Sequence, residues 1–273
     1  MRLAISNIAW DVAEDEAVAN LLQRFDVDAI DVAPGKYFPD LHQAREVDMK
    51  AVRTWWSDRG IELTGMQSLL FGTQGLNLFD SPQVQHAMLE HLGAVCRVGA
   101  GLGATRLVFG SPKNRDRQGL DDEQTLEMAT AFFTQVGDIA LTEGVQICLE
   151  PNPTCYGANF MVDSSETERV VRAINHPAIA MQFDTGALTI NDEQPDAVLE
   201  RAAGLIGHVH ASEPNLVPLG DGGTDHARMA AALARHLSGK LVSIEMVATR
   251  DEPHLAAIER ALAVADRCYR NAL

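Results

Sequence analysis

The sequence is short of positive charge. It has 22 Lys and Arg residues against 38 Asp and Glu residues, which gives a formal net charge of −16. Proteins that bind the phosphate backbone of nucleic acids carry clustered Lys and Arg, and no such cluster stands out along this chain. We therefore expect no nucleic acid partner, and we attribute the excess acid to solvated helix faces.

Long apolar runs are also missing, although 46% of the residues are hydrophobic. No segment approaches the roughly 20 apolar residues that a transmembrane helix needs. The first residues, MRLAISNIAW, resemble a strand and lack the basic region and cleavage site of a signal peptide. These absences predict a globular protein with no membrane partner, located in the cytoplasm.

Cysteine is sparse, and the four cysteines are scattered rather than paired. Their spacing matches neither a zinc ribbon nor a disulfide framework, so a thiolate metal site is excluded. Cys148 lies within an apolar run, where we expect it to pack as a small buried hydrophobe.

What the sequence does have is a regular alternation of apolar runs and amphipathic stretches. The stretch from residue 125 to 142 shows helical spacing, and Gly60, Gly103 and Gly144 come just before strand-like runs, where helices end. This alternation predicts a parallel sheet. The predicted strands are 3–10, 29–33, 61–70, 104–110, 145–150, 179–184, 206–210 and 241–247.

Eight strand–helix units in 273 residues fit a single (β/α)8 TIM barrel, which typically needs about 250 residues. An open, doubly wound dinucleotide-binding sheet would show a G-x-G-x-x-G turn after its first strand, and none is present. No linker or shift in composition divides the chain. We predict one catalytic domain over residues 1–273.

Four apolar runs in the second half of the chain end on potential metal ligands: Glu150, Asp184, His210 and Glu245. A charged group is costly to bury unless it is paired or binds a cation. In a parallel barrel the carboxyl ends of the strands meet at one rim, where active sites lie. Three carboxylates and one imidazole suit a divalent cation that prefers oxygen ligands, such as Mn²⁺, Mg²⁺ or Co²⁺, with Zn²⁺ as an alternative. His208 shares a strand face with His210 one layer deeper, where a core histidine is expected.

The segments around these residues resemble the xylose isomerase-like TIM-barrel superfamily. It includes sugar isomerases, ketose 3-epimerases, hydroxypyruvate isomerases, inosose dehydratases and the endonuclease IV group. The resemblance runs through the whole chain and implies a single barrel, one bound divalent metal, Mn²⁺ before the others, and a homodimer. It is strongest in LEPNP (149–153), FDTG (183–186), GHVHASEPN (207–215) and GDGG (220–223).

In the ketose 3-epimerase branch the equivalent Glu, Asp, His and Glu bind one Mn²⁺ or Co²⁺. The two Glu residues there form an acid/base pair on opposite faces of a sugar carbon. The resemblance therefore implies a metal-dependent sugar isomerase or epimerase that transfers protons through an enediolate, with Glu150 and Glu245 as the catalytic residues and a small carbohydrate as substrate.

Three positions depart from that branch. Tyr156, Ala187 and Leu216 stand where the branch carries Glu, His and Arg. A dehydratase of the inosose type on the same metal centre is therefore an alternative. An endonuclease IV-like hydrolase is a weaker one, because Ala187 removes an expected His ligand and the chain is acidic. A sugar-binding protein without catalysis is disfavoured, since Glu150 and Glu245 are both present.

Several further residues are candidates for substrate contacts, each with ordinary packing or loop structure as the alternative. Lys113, together with Arg115, follows the fourth strand and could bind a phosphate or carboxylate. Asp31 could orient neighbouring groups at the rim. The proposed substrate contacts are Trp10, Gln67, Lys113, Tyr156, Glu213 and His226.

Overall fold

The computed structural model describes residues 1–270, which form a closed barrel of eight parallel strands in sequence order. The predicted TIM barrel is confirmed. Each strand pairs with its neighbours along the chain, and the last pairs with the first. The strands are β1 Arg2–Ser6, β2 Ala29–Val32, β3 Glu62–Met66, β4 Arg106–Phe109, β5 Gln146–Leu149, β6 Ile179–Asp184, β7 Ile206–Ser212 and β8 Leu241–Glu245.

Helices surround the barrel, and no helix among residues 1–270 is long and apolar enough to cross a membrane. The α-helices are α1 Asp15–Arg24, α2 Glu46–Ser57, α3 Pro82–Leu102, α4 Asp122–Glu143, α5 Ser164–Ile174, α6 Thr185–Ile190, α7 Pro195–Ala202, α8 His226–His236 and α9 His254–Ala265. A short π-helix, Asp266–Arg270, follows the last of them.

The helix signals in the sequence act as expected in α4. Asp121 caps its first turn together with Gln124, each side chain accepting a hydrogen bond from the backbone amide of the other. Gly144 ends the helix with a φ of 71°, a left-handed conformation that glycine adopts without strain. Gly103 ends α3 in the same way, with a φ of 80°.

All eight predicted strands are present, and β6 has the predicted bounds. Most of the others are shorter, because the last residues of each apolar run leave the sheet to form the rim. The exception is β7, which continues through Ser212, two residues beyond His210. The main apolar core lies between the barrel and the helices. A small apolar group inside the barrel includes Cys148, where burial raises the pKa of the thiol to about 12 and confirms its packing role.

Candidate metal centre

The four strand-end residues come together at the carboxyl end of the barrel. Glu150 directly follows β5, Asp184 ends β6, His210 lies within β7 and Glu245 ends β8. The Nδ1 atom of His210 lies 3.2 Å from Glu245 Oε2, 3.4 Å from Glu150 Oε1 and 4.0 Å from Asp184 Oδ2. One ligand atom from each residue lies within 4.8 Å of the others. The geometry thus brings four buried donors to one point.

In the absence of a cation, the crowded negative charge of this cluster favours the protonated forms of Asp184 and His210. Burial, followed by the carboxylates of Glu150 and Glu245, raises the pKa of Asp184 to about 7. Burial by itself lowers the pKa of His210, but the charges of Glu245 and Glu150 outweigh it and raise that pKa well above its usual value. Glu150 Oε1 is buried and lacks a hydrogen bond of acceptable geometry among the described residues. A site that raises the pKa of both Asp184 and His210 fits a divalent cation, which would replace those protons, with His210 offering Nδ1 as its ligand atom.

Neighbouring groups hold two of the carboxylates in place. Asp184 caps α6, where one carboxylate oxygen accepts a 2.6 Å hydrogen bond from the amide of Ala187. Its other oxygen accepts a 2.7 Å hydrogen bond from Ser212 Oγ. Gln67 Nε2 donates to Glu245 Oε1 at 2.5 Å. These bonds orient the carboxylates before any ligand arrives.

A second buried layer lies below the cluster. Asp31 Oδ2 is 2.9 Å from His208 Nε2 and 3.9 Å from His210 Nε2, so Asp31 faces the ring of His210 on the side away from the other carboxylates. Burial raises the pKa of Asp31, but the charge and hydrogen bonding of His208 and the charge of His210 together outweigh it and lower that pKa to about 2. Gly65 makes this packing feasible, because a Cβ there would lie 2.5 Å from Asp31 Oδ1. Asp31 is thus suited to hold His208, whose ring packs edge-on against that of His210 with 5.0 Å between the ring centroids.

A cavity of about 560 Å³ opens above Glu150, Asp184 and Glu245. Its polar side chains include the predicted contacts Gln67, Lys113 and Tyr156. Much of its wall is apolar, and Phe71 at its mouth is 87% exposed. The residues at the three departing positions, Tyr156, Ala187 and Leu216, all line this cavity.

Trp10, Glu213 and His226 do not line the cavity, as far as residues 1–270 show. Trp10 is buried, and its Nε1 donates a 2.7 Å hydrogen bond to Asp15 Oδ1. His226 is also buried, with Nε2 3.0 Å from Glu213 Oε1 and Nδ1 2.7 Å from the hydroxyl of Tyr269. The structure therefore gives these three side chains contacts that support packing rather than contacts with a ligand in the cavity.

Arg115 is not a cation of the rim, contrary to the expectation that placed it beside Lys113. It is fully buried, and its Nη1 donates a 2.7 Å hydrogen bond to the main-chain oxygen of Glu150. Burial lowers the pKa of its guanidinium to about 10, against the opposing effect of the Glu150 carboxylate. Lys113 does line the cavity, with Nζ 3.3 Å from the main-chain oxygen of Thr73.

The sequence interpretation missed Gly110, which follows β4 directly. A Cβ at this position would lie 1.9 Å from Glu150 Oε2, so glycine leaves free the space that this carboxylate occupies and a larger residue would displace it. The pairing of β4 with β5 explains this proximity. Phe109 lies beside Leu149, so Gly110, the residue after Phe109, lies beside Glu150, the residue after Leu149.

The Glu213 network gives a testable prediction about stability. Burial raises the pKa of Glu213, but hydrogen bonds from His226 and from the amides of Thr224 and Gly220 outweigh it and lower that pKa to about 2. This shift from the ordinary value of 4.5 corresponds to about 3 kcal/mol at neutral pH. Glu213→Gln should lower the free energy of unfolding by that order, as measured by urea denaturation at pH 7.

The sign of the pH effect provides a check on this prediction. Because the folded-state pKa is lowered, the stabilisation is complete above the unfolded pKa and is lost as the pH falls toward 2. The stability gap between wild type and Glu213→Gln should therefore narrow between about pH 4.5 and pH 2. Glu200→Gln, at an exposed position of α7, is the matched control and should show no gap. If the difference in unfolding free energy between wild type and Glu213→Gln does not change with pH, the lowered pKa of Glu213 is not its cause.

Comparison with known proteins agrees with this architecture. A family model described as a xylose isomerase-like TIM barrel matches residues 19–268. A D-psicose 3-epimerase from Clostridium cellulolyticum H10, solved with D-tagatose, superposes with a TM-score of 0.82 at 18% identity, covering 100% of this chain and 99% of that one. No curated protein sequence matches significantly.

Two further solved structures are similar. The 3-keto-D-glucoside 4-epimerase from E. coli has a TM-score of 0.79 at 15% identity, covering 98% of this chain and 100% of that chain. The IOLI protein, solved with a bound zinc atom, has a TM-score of 0.78 at 15% identity, covering 100% of this chain and 99% of that chain. At these identities the likeness demonstrates a shared fold.

Proposed function

This chain belongs to the xylose isomerase-like TIM-barrel family, and on that premise we propose that it is a divalent-metal-dependent sugar isomerase or epimerase. The observation that carries the proposal is the cluster of Glu150, Asp184, His210 and Glu245 at the floor of a large cavity. The similar solved structures include epimerases of D-psicose and of a 3-keto-D-glucoside, which supports a carbohydrate substrate.

The four donors would hold the cation, and Mn²⁺ suits their oxygen-rich set best. When bound, a divalent cation polarises a carbonyl oxygen and stabilises the charge of an enediolate. Asp184 and His210 would serve only as metal ligands, whereas Glu150 and Glu245 would also transfer protons. Ser212 donates a hydrogen bond to Asp184 and keeps that carboxylate oriented.

Glu150 and Glu245 are proposed to move the proton. They reach the cavity from β5 and β8, and both line it. A carboxylate on one side of a sugar carbon can remove its proton while an acid on the other side returns one, which inverts the centre. Gln67 donates to Glu245 and holds that carboxylate ready.

The decisive experiment is a screen of keto-sugars, sugar phosphates and inososes for incorporation of solvent deuterium, followed by NMR. We expect exchange at a carbon next to a carbonyl for at least one of these classes. Exchange with retention of all oxygens identifies an isomerase or epimerase, whereas exchange with loss of water identifies a dehydratase. If none of the three classes exchanges, proton-transfer chemistry on sugars is refuted.

Gly110→Ala should reduce turnover by about 10²-fold, because the added Cβ would displace Glu150, and a shift of about 1 Å in a catalytic group costs that much. The measurement is the rate of deuterium exchange under saturating substrate. Gly204→Ala is the matched control, since a Cβ there meets no atom within 4 Å. Equal rates in the two variants would show that the position of Glu150 does not matter.

A further inference from the structure

The opposite end of the barrel contains a second cavity, of about 520 Å³, which the proposed chemistry does not use. We call it the basal cavity, because the first residues of the strands surround it. Arg2 begins β1, Glu62 begins β3 and Arg106 begins β4, and all three line it. Lys240, directly before β8, and Arg53, from α2, complete its charged wall.

The charge of this wall is opposite to that of the protein. Four basic side chains and one carboxylate line a single concave surface on a chain of net charge −16. Arg2 is neutralised, since it lies 2.7 Å from Asp28 and 2.6 Å from Glu62. The positive charge of the cavity therefore comes from the other three cations, Arg53, Arg106 and Lys240.

These three cations lack counter-ions. None of them has a carboxylate within 4.0 Å among residues 1–270, whereas many basic side chains elsewhere on the surface do, as in the pair of Arg235 with Asp196. Arg106 and Lys240 are half-buried and donate only to main-chain oxygens, at 3.4 Å and 3.2 Å. A half-buried cation without a partner is costly, and a bound anion would relieve that cost.

The cavity reaches into the barrel. His208 and Thr64 form part of its wall, and the hydroxyl of Thr64 donates a 3.0 Å hydrogen bond to Asp31 Oδ1. Arg106 and Lys240 line this same cavity, so both cations border one concave space rather than separate parts of the surface.

We propose that the basal cavity binds a small phosphorylated anion, held by Arg53, Arg106 and Lys240. Guanidinium groups pair with phosphate oxygens through two parallel hydrogen bonds, and an ammonium adds a compact charge. The concave shape and a volume of about 520 Å³ suit a small molecule, and the acidity of the rest of the chain disfavours a nucleic acid. This site is separate from the metal centre and does not depend on the proposed function.

Titration of the Mg²⁺-loaded protein with inorganic phosphate, at constant ionic strength, tests the proposal by calorimetry. Wild type should bind phosphate saturably. Arg53→Ala and Lys240→Met should each weaken binding by about tenfold, because each removes one charge-assisted hydrogen bond. Lys50→Ala is the matched control, since it removes an exposed positive charge from the same helix as Arg53 but lies outside the cavity.

Two results would overturn the site. One is the absence of saturable binding to wild type. The other is equal affinity in wild type, Arg53→Ala and Lys240→Met, which is also what phosphate bound at the metal centre would produce. Arg53 is exposed and methionine retains most of the stem of Lys240, so both variants should fold, and thermal unfolding measures this directly.

Discussion

Glu150→Gln and Glu245→Gln are each expected to slow exchange of the substrate's α-proton with solvent deuterium by about 10²- to 10⁴-fold. Glutamine keeps the shape of glutamate but can neither accept nor return a proton. Both carboxylates belong to the same cluster and both line the cavity. Because each is proposed to act on its own side of the substrate carbon, neither can take over the role of the other. The measurement is the exchange rate by NMR with the substrate that the screen identifies.

The matched control for these variants is Glu127→Gln, an exposed carboxylate on α4. It should exchange at the wild-type rate. Thermal unfolding should remain cooperative in all three variants, which separates loss of chemistry from loss of fold. Undiminished exchange in both Glu150→Gln and Glu245→Gln would eliminate the proton-transfer mechanism.

Removal of divalent metal by a chelator should abolish activity, and Mn²⁺ should restore it. Three carboxylates whose ligand atoms lie within 4.8 Å of one another repel each other unless protons or a cation neutralise them. Mn²⁺ should therefore also raise the temperature of unfolding of the wild-type protein, because it binds the folded state alone. Calorimetry and activity thus report on the same site independently.

Asp184→Asn separates metal binding from proton transfer, because Asp184 is a proposed ligand without a catalytic role. This variant should bind Mn²⁺ more weakly and lose most of the increase in unfolding temperature. Asp192→Asn, at an exposed position outside the cluster, provides the comparison. Full activity of a metal-free preparation would refute the metal requirement.

The four residues of the metal cluster could be predicted from the sequence. Glu150, Asp184, His210 and Glu245 were identified because each ends an apolar run, and a parallel barrel brings such ends to one rim. This inference needs only local pattern and the general geometry of the fold. It does not need the packing of any particular loop.

The residues around the cluster were harder to predict, because their positions do depend on the packing of loops. Trp10 and His226 were expected at the cavity, but loops and helices direct them into buried contacts with Asp15 and Tyr269. Arg115 was expected at the rim and instead supports the main chain of Glu150. The direction of a loop side chain depends on what packs against it, and the pattern of one chain segment does not contain that information.

The sequence by itself determined the class of fold, the eight strands and the four buried donors, because hydrophobic period and strand-end chemistry are local properties. Only the tertiary structure decided which residues meet across strands. Gly110 clears space for Glu150 because β4 and β5 pair in one register. Arg53, Arg106 and Lys240 share the basal cavity because the barrel closes. Register and closure join residues far apart in sequence, so they arise from the packing of the whole chain.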